Sequence, residues 1–95
     1  MPIFKIQLME SMRDLVGKTE LDVQAEEGAT LSDVFTEVGR EYGESVKKKI
    51  IAPDGGFYPY ILVSLNGTDF RALKGMDTRL KDRDIILVGL LIIGG

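Results

Sequence analysis

Ile61–Leu62–Val63–Ser64–Leu65–Asn66–Gly67–Thr68–Asp69–Phe70 is the stretch that decides the fold. Two β-prone runs flank Asn66–Gly67, and both turn residues tolerate the positive φ that a tight hairpin demands. The reading is a hairpin, 61–65 against 68–70.

Upstream of it lies a helix. Leu31, Val34, Phe35 and Val38 fall at i, i+3, i+4 and i+7, which makes one apolar stripe. Thr30 is its N-cap, and Asp33 three residues on completes a capping box. Gly39 interrupts the stripe and Gly43 stops the helix. A short helical turn follows within 45–51, with Val46 and Ile50 facing inward. The segment 52–60 (APDGGFYPY) has the composition of a loop. Its rings Phe57, Tyr58 and Tyr60 form a binding surface or fold down over the sheet edge, and the sequence leaves both open.

Earlier still, Phe4, Ile6 and Leu8 alternate with polar residues, and so do Leu21, Val23 and Ala25, which gives two half-buried strands. The connection 10–18 carries Gly17 as its turn residue, with Leu15 and Val16 pinning it to the core. Downstream of the hairpin, Leu73, Met76 and Leu80 read as apolar plugs in an irregular connection. A polar turn, Lys81 to Asp84, precedes the last strand, 85–88. That strand is continuously apolar, so burial on both faces is expected. The order strand, strand, helix, strand, strand, strand makes an α+β layer with one helix over one sheet face.

Composition narrows the chemistry. The chain has 95 residues, room for a single core. Its net charge of −3 repels a phosphate backbone, so no nucleic-acid partner is expected. It holds no Cys and no His, which removes thiol nucleophiles, thiolate metal sites and imidazole bases together. No catalytic residue and no metal site are expected, and no carboxylate pair has acid–base spacing. No signal peptide opens the sequence, and the apolar run from Ile85 to Ile93 is too short to span a bilayer; a cytoplasmic protein is expected. Lys47–Lys48–Lys49 reads as a solvated face, against a contact patch or isopeptide acceptor. The methionines Met9, Met12 and Met76 read as gap filling.

Five stretches in this order resemble one family. They are Met12–Arg13–Asp14–Leu15–Val16–Gly17–Lys18 after the first strand, Glu27–Gly28–Ala29–Thr30–Leu31–Ser32–Asp33–Val34 entering the helix, Leu65–Asn66–Gly67, Leu80–Lys81–Asp82–Arg83–Asp84, and the closing Gly94–Gly95. Together they resemble the β-grasp sulfur carriers of the MoaD and ThiS type. The nearest subgroup is the small subunit of molybdopterin synthase with the small archaeal modifiers, and the thiamin sulfur carrier is a more distant cousin. The resemblance implies a ubiquitin-like β-grasp: a mixed sheet of four to five strands with one main helix packed on one face. Where that family commonly has a Pro-Pro pair before its final glycines, this chain has Leu90, Leu91, Ile92 and Ile93.

The expected organisation is a domain over 1–89 and a flexible tail over 90–95. Glycine lacks a Cβ, so a closing Gly-Gly threads a narrow channel and presents a carboxylate. Gly95 is the expected point of activation, by adenylation and then thiocarboxylate formation, and Gly94 supplies clearance. Leu90, Leu91, Ile92 and Ile93 are the expected docking stem, although Leu90 and Leu91 equally read as a continuation of the last strand. Nothing in the chain binds ATP: no GxxxxGK[ST] loop occurs. The resemblance implies a separate E1-like adenylating enzyme that uses ATP and Mg²⁺, and a sulfur acceptor such as the large subunit of molybdopterin synthase. The expected role is a sulfur carrier for molybdopterin or tungstopterin. The alternatives are a modifier conjugated to lysines, a thiamin-type carrier, and a non-covalent β-grasp binding module.

Overall fold

The computed structural model describes residues 2–91. Among them are five strands: β1 (Ile3–Leu8), β2 (Glu20–Gln24), β3 (Ile61–Leu65), β4 (Thr68–Asp69) and β5 (Ile85–Leu90). Three α-helices accompany them: α1 (Glu10–Val16), α2 (Leu31–Tyr42) and α3 (Glu44–Lys47). One mixed sheet has the order β2-β1-β5-β3-β4, with β1 and β5 parallel and the other pairs antiparallel. The strand that comes last in sequence therefore lies in the middle, and its C-terminal end points the same way as that of β1.

Alternation builds the core. Phe4, Ile6 and Leu8 of β1, Leu21 and Val23 of β2, Val63 of β3, and Ile86 and Val88 of β5 all turn to one face and are buried there. Leu31, Val34, Phe35 and Val38 of α2 close over them. The predicted capping box is present: the Asp33 N–H donates to Thr30 Oγ1 at 3.2 Å, and the Thr30 N–H donates to Asp33 Oδ2 at 3.0 Å. The predicted hairpin turn also forms, with Asn66 at φ 52° and Gly67 at φ 87°. The Asn66 side chain then reaches β5, accepting from the Ile85 N–H and donating to Asp84 Oδ1, each at 2.9 Å.

Four expectations need correction. The connection after β1 is a helix, α1, and it is anchored by Met12, which is fully buried; Val16 packs half-buried against the core as expected, while Leu15 stays 46% exposed. Seven residues are too few to show a helical stripe. Tertiary ties make it: Met12 enters the core, and Arg13 Nε donates to the Leu8 carbonyl at 2.7 Å. Second, β4 ends at Asp69, because the Asp69 carboxylate accepts from the Arg71 N–H and Phe70 opens a 3-10 turn. Third, of the three expected plugs only Leu80 is fully enclosed; Leu73 is exposed and Met76 half-buried. Fourth, β5 is not buried on both faces. Ile85 is 44% exposed and Leu87 half-buried, because α2 packs against the opposite side of the sheet.

The loop 52–60 is ordered around a small apolar joint. The Ala52 N–H donates to the Gly56 carbonyl at 2.7 Å, and Ile51 bridges Phe57. Phe57 makes edge-to-face contacts with Phe35 at 5.1 Å and Phe70 at 4.9 Å. This ring belongs to the packing, which settles the reading for Phe57 among the aromatic residues of the loop.

Candidate functional site

The end of β5 is where the sheet hands the chain to its closing residues. Leu90 lies opposite Ile61 in the ladder and packs half-buried against the core. Leu91 is one step further on, with its N–H donating to the Tyr60 carbonyl at 2.7 Å and 48% of its surface exposed. The two residues therefore divide: Leu90, expected as the first tail residue, is the last residue of β5, and Leu91 follows it with its side chain about half uncovered. Ile92, Ile93, Gly94 and Gly95 lie outside the described residues.

The side of the sheet turned away from α2 leads to that point. Register places Gln7 beside Leu87, Leu87 beside Ser64, and Gly89 beside Leu62. Ile85, Leu87 and Leu62 thus form a slanting apolar row along β5 that ends at Leu91. Lys5 and Gln7 on β1, Ser64 on β3 and Asp69 on β4 flank it, with the exposed Ile3 further along β1 on the same face. A shallow depression of about 250 Å³ between Met9, Leu62, Ser64, Asp69 and Leu87 lies in this row. An apolar surface with a polar rim is the usual anatomy of a docking face.

Met9 fixes the top of the row. Its N–H donates to the Val88 carbonyl at 2.8 Å, and its side chain lies over Gly89. A Cβ on Gly89 would overlap Met9 Sδ. Glycine at this position is what lets the start of α1 seat directly on the sheet beside the root of the tail.

Electrostatics enter at the edge. Arg71 donates to the Asp69 carboxylate from Nη2 at 2.9 Å and Nε at 3.1 Å, and from its backbone N–H at 2.8 Å. These bonds, the side-chain ones first, hold the Asp69 pKa down at about 2. Asp69 thus remains an anion on the rim at any ordinary pH. Among the described residues no group of His, Cys, Asp or Glu could hold a metal ion. No helix among them is long and apolar enough to cross a membrane.

The other sequence candidates take definite places. Lys49 Nζ donates to the Leu15 carbonyl at 2.9 Å and so tethers the end of α1. Tyr58 and Tyr60 stack at 5.2 Å with their planes 10° apart, next to the Leu91 contact. The row itself, Ile85, Leu87 and Leu62 with Met9, went unread in the sequence. Its signal was the unbroken apolar run of β5, which reads as two-sided burial when one side is in fact open.

Comparison with known proteins agrees with this geometry. A family model described as the ThiS family matches residues 6–95, so the match runs through the closing Gly-Gly. Small archaeal modifier protein 3 of Haloferax volcanii is 29% identical over 91 residues, covering 96% of this chain and 97% of that protein. The solution structure of small archaeal modifier protein 1 from Methanosarcina acetivorans is similar with a TM-score of 0.78 at 27% identity, covering 100% of this chain and 98% of that one. A Pyrococcus furiosus protein solved as a putative molybdopterin converting factor, subunit 1, has a TM-score of 0.72 at 22% identity over 97% of this chain and 100% of its own, a likeness of fold.

Proposed function

The chain belongs to the ThiS family, and on that premise we propose that it is a sulfur carrier whose working group is the carboxylate of Gly95. The family consists of small β-grasp proteins that act as sulfur carriers or modifiers and are not themselves catalysts. The carrying observation is the apolar row of Ile85, Leu87 and Leu62, which ends at Leu91 with its side chain uncovered.

A carboxylate resists attack until one oxygen becomes a good leaving group. An E1-like adenylating partner supplies this by joining Gly95 to AMP from Mg²⁺-ATP, with release of pyrophosphate. Hydrosulfide, or a donor that releases sulfur at that oxidation level, then attacks the acyl carbon, AMP departs, and –C(=O)S⁻ remains. Transfer of that sulfur to an acceptor and addition of water return the carboxylate. Molybdopterin or the related tungstopterin is the proposed end product, with the large subunit of molybdopterin synthase as the sulfur-consuming partner. The folded chain performs none of these bond changes. It presents Gly94 and Gly95, with Leu91, Ile92 and Ile93 as the stem, and offers the row beside Leu91 as the surface on which both partners dock.

Incubation with an adenylating enzyme, ATP and a sulfur donor tests this by intact mass. The expected shift is that of one oxygen replaced by sulfur; an unchanged mass with every cognate enzyme contradicts it. A second reading has its own support, since two relatives are named as modifiers. In that reading an acceptor lysine attacks the same adenylate and an isopeptide bond forms. Peptide mapping that finds a branched lysine carrying the Gly-Gly remnant selects it over sulfur transfer.

A further inference from the structure

β2, two strands from β5, is an edge strand of the sheet. Its hydrogen-bonding direction can be read from its two ends. The Thr19 carbonyl accepts from the Leu8 N–H, and the Ala25 N–H donates to the Pro2 carbonyl, both toward β1. Alternation in an antiparallel ladder then turns the backbone groups of Glu20, Asp22 and Gln24 outward. An outward row of N–H and C=O groups is a template for another strand.

The centre of that row is occupied by a side chain. The Tyr42 hydroxyl accepts from the Asp22 N–H at 3.0 Å and donates to the Asp22 carbonyl at 2.9 Å. One phenol oxygen thus uses both outward groups of the middle residue. Its ring, carried on the last residue of α2, packs half-buried against the core, and Lys18 Nζ sits 5.8 Å from its centroid. Charge adds a second barrier. Two copies pairing antiparallel about Asp22 would set Asp22 against Asp22 and Glu20 against Gln24, and like charges placed directly opposite destabilise a strand pair.

The geometry points to β2 as a latent strand-addition surface for a second copy of this chain, held closed by the Tyr42 hydroxyl and the Asp22 carboxylate. The device keeps the carrier monomeric without thickening the edge. This matters for a protein that must seat its closing residues in a partner, and it holds whichever acceptor the tail serves.

Sedimentation equilibrium on the full chain tests it with Tyr42→Phe, Asp22→Asn and the double variant, each checked by far-ultraviolet circular dichroism. The double variant removes the hydroxyl and the repulsion together and is expected to approach twice the monomer mass with rising concentration. Wild type and Asp22→Asn are expected to remain monomers. A folded double variant that stays monomeric at every concentration overturns the proposal, as does dimerisation of Asp22→Asn alone. Should loss of the hydroxyl unfold the chain, amide exchange in the wild type decides. The Asp22 amide should exchange on the order of fivefold or more below its intrinsic rate, the effect of one net hydrogen bond. Exchange at the intrinsic rate would show that the edge is not closed.

Discussion

The Leu91 N–H donates to the Tyr60 carbonyl at 2.7 Å, one step beyond the pair of Leu90 with Ile61. That bond carries the ladder of the central strand one residue past Leu90, the last residue of β5. The Leu91 side chain is 48% exposed there.

Gly89 and Met9 must be treated as a pair. Gly89→Ala places a Cβ against the Met9 side chain, whose exposed thioether can swing aside while its Cβ and Cγ stay tight, so the cost should sit at or below the low end, about 1 kcal/mol, of the overpacking range. Thermal unfolding should therefore show a lower Tm for Gly89→Ala. Adding Met9→Ala should return part of the loss, and the double-mutant cycle should yield a coupling clearly different from zero. Independent, additive effects would mean the two side-chain positions do not meet.

The apolar row should matter to partners and little to folding. Leu62→Glu or Leu87→Lys puts a charge on a half-exposed face, so the fold should persist by circular dichroism. Pyrophosphate exchange by the activating enzyme should show a KM raised at least about tenfold, the effect of losing one buried apolar contact worth about 1.5 kcal/mol or more. An unchanged KM would place docking elsewhere.

The loop ring Phe57 is a packing residue. Phe57→Ala removes its contacts with Phe35 and Phe70 and should cost about 2–4 kcal/mol, a little under the full core range because the ring is only half-buried. Denaturant unfolding measures this. A cost near zero would make the ring a surface feature. Tyr60→Ala, by contrast, should leave stability nearly unchanged, since that ring is exposed.

Asp69 gives a pH signature with a definite sign. Its pKa falls from the ordinary carboxylate value of 3.8 to about 2 because Arg71 bonds the charged form. A depressed carboxylate contributes stability that is complete above 3.8 and fades as pH falls through about 2. Chemical-shift titration of the Asp69 carboxyl should show this low midpoint, and Arg71→Ala should move it back toward 3.8. A midpoint that does not respond to Arg71→Ala would contradict the pairing.

Much of this was legible in the sequence, for reasons that can be named. The capping box at Thr30 and the turn at Asn66–Gly67 are local: a few adjacent residues determine them, and they formed as read. α1 escaped because what makes it a helix is distant, the burial of Met12 and the Arg13 contact with Leu8. The apolar row on β5 escaped for a related cause. An apolar side chain on β5 has the same letter whether a helix covers it or a partner does. Leu87 and Val88 therefore read alike before the layers are known, yet Val88 is enclosed and Leu87 is not. The tail was legible as composition only, since Gly94–Gly95 is a statement about reactivity and access and carries no packing pattern.

The central claim is that the acyl group of Gly95 is the reactive handle and that the folded body only delivers it. The most direct measurement compares three chains by intact mass after exposure to the adenylating enzyme, ATP and a sulfur donor: the chain ending at Gly95, one lacking Gly95, and one extended by a single alanine. All three should melt alike, since the change lies several residues beyond the end of β5. Only the chain ending at Gly95 should gain the sulfur-for-oxygen mass. Sulfur acquired equally by the extended chain would contradict the account.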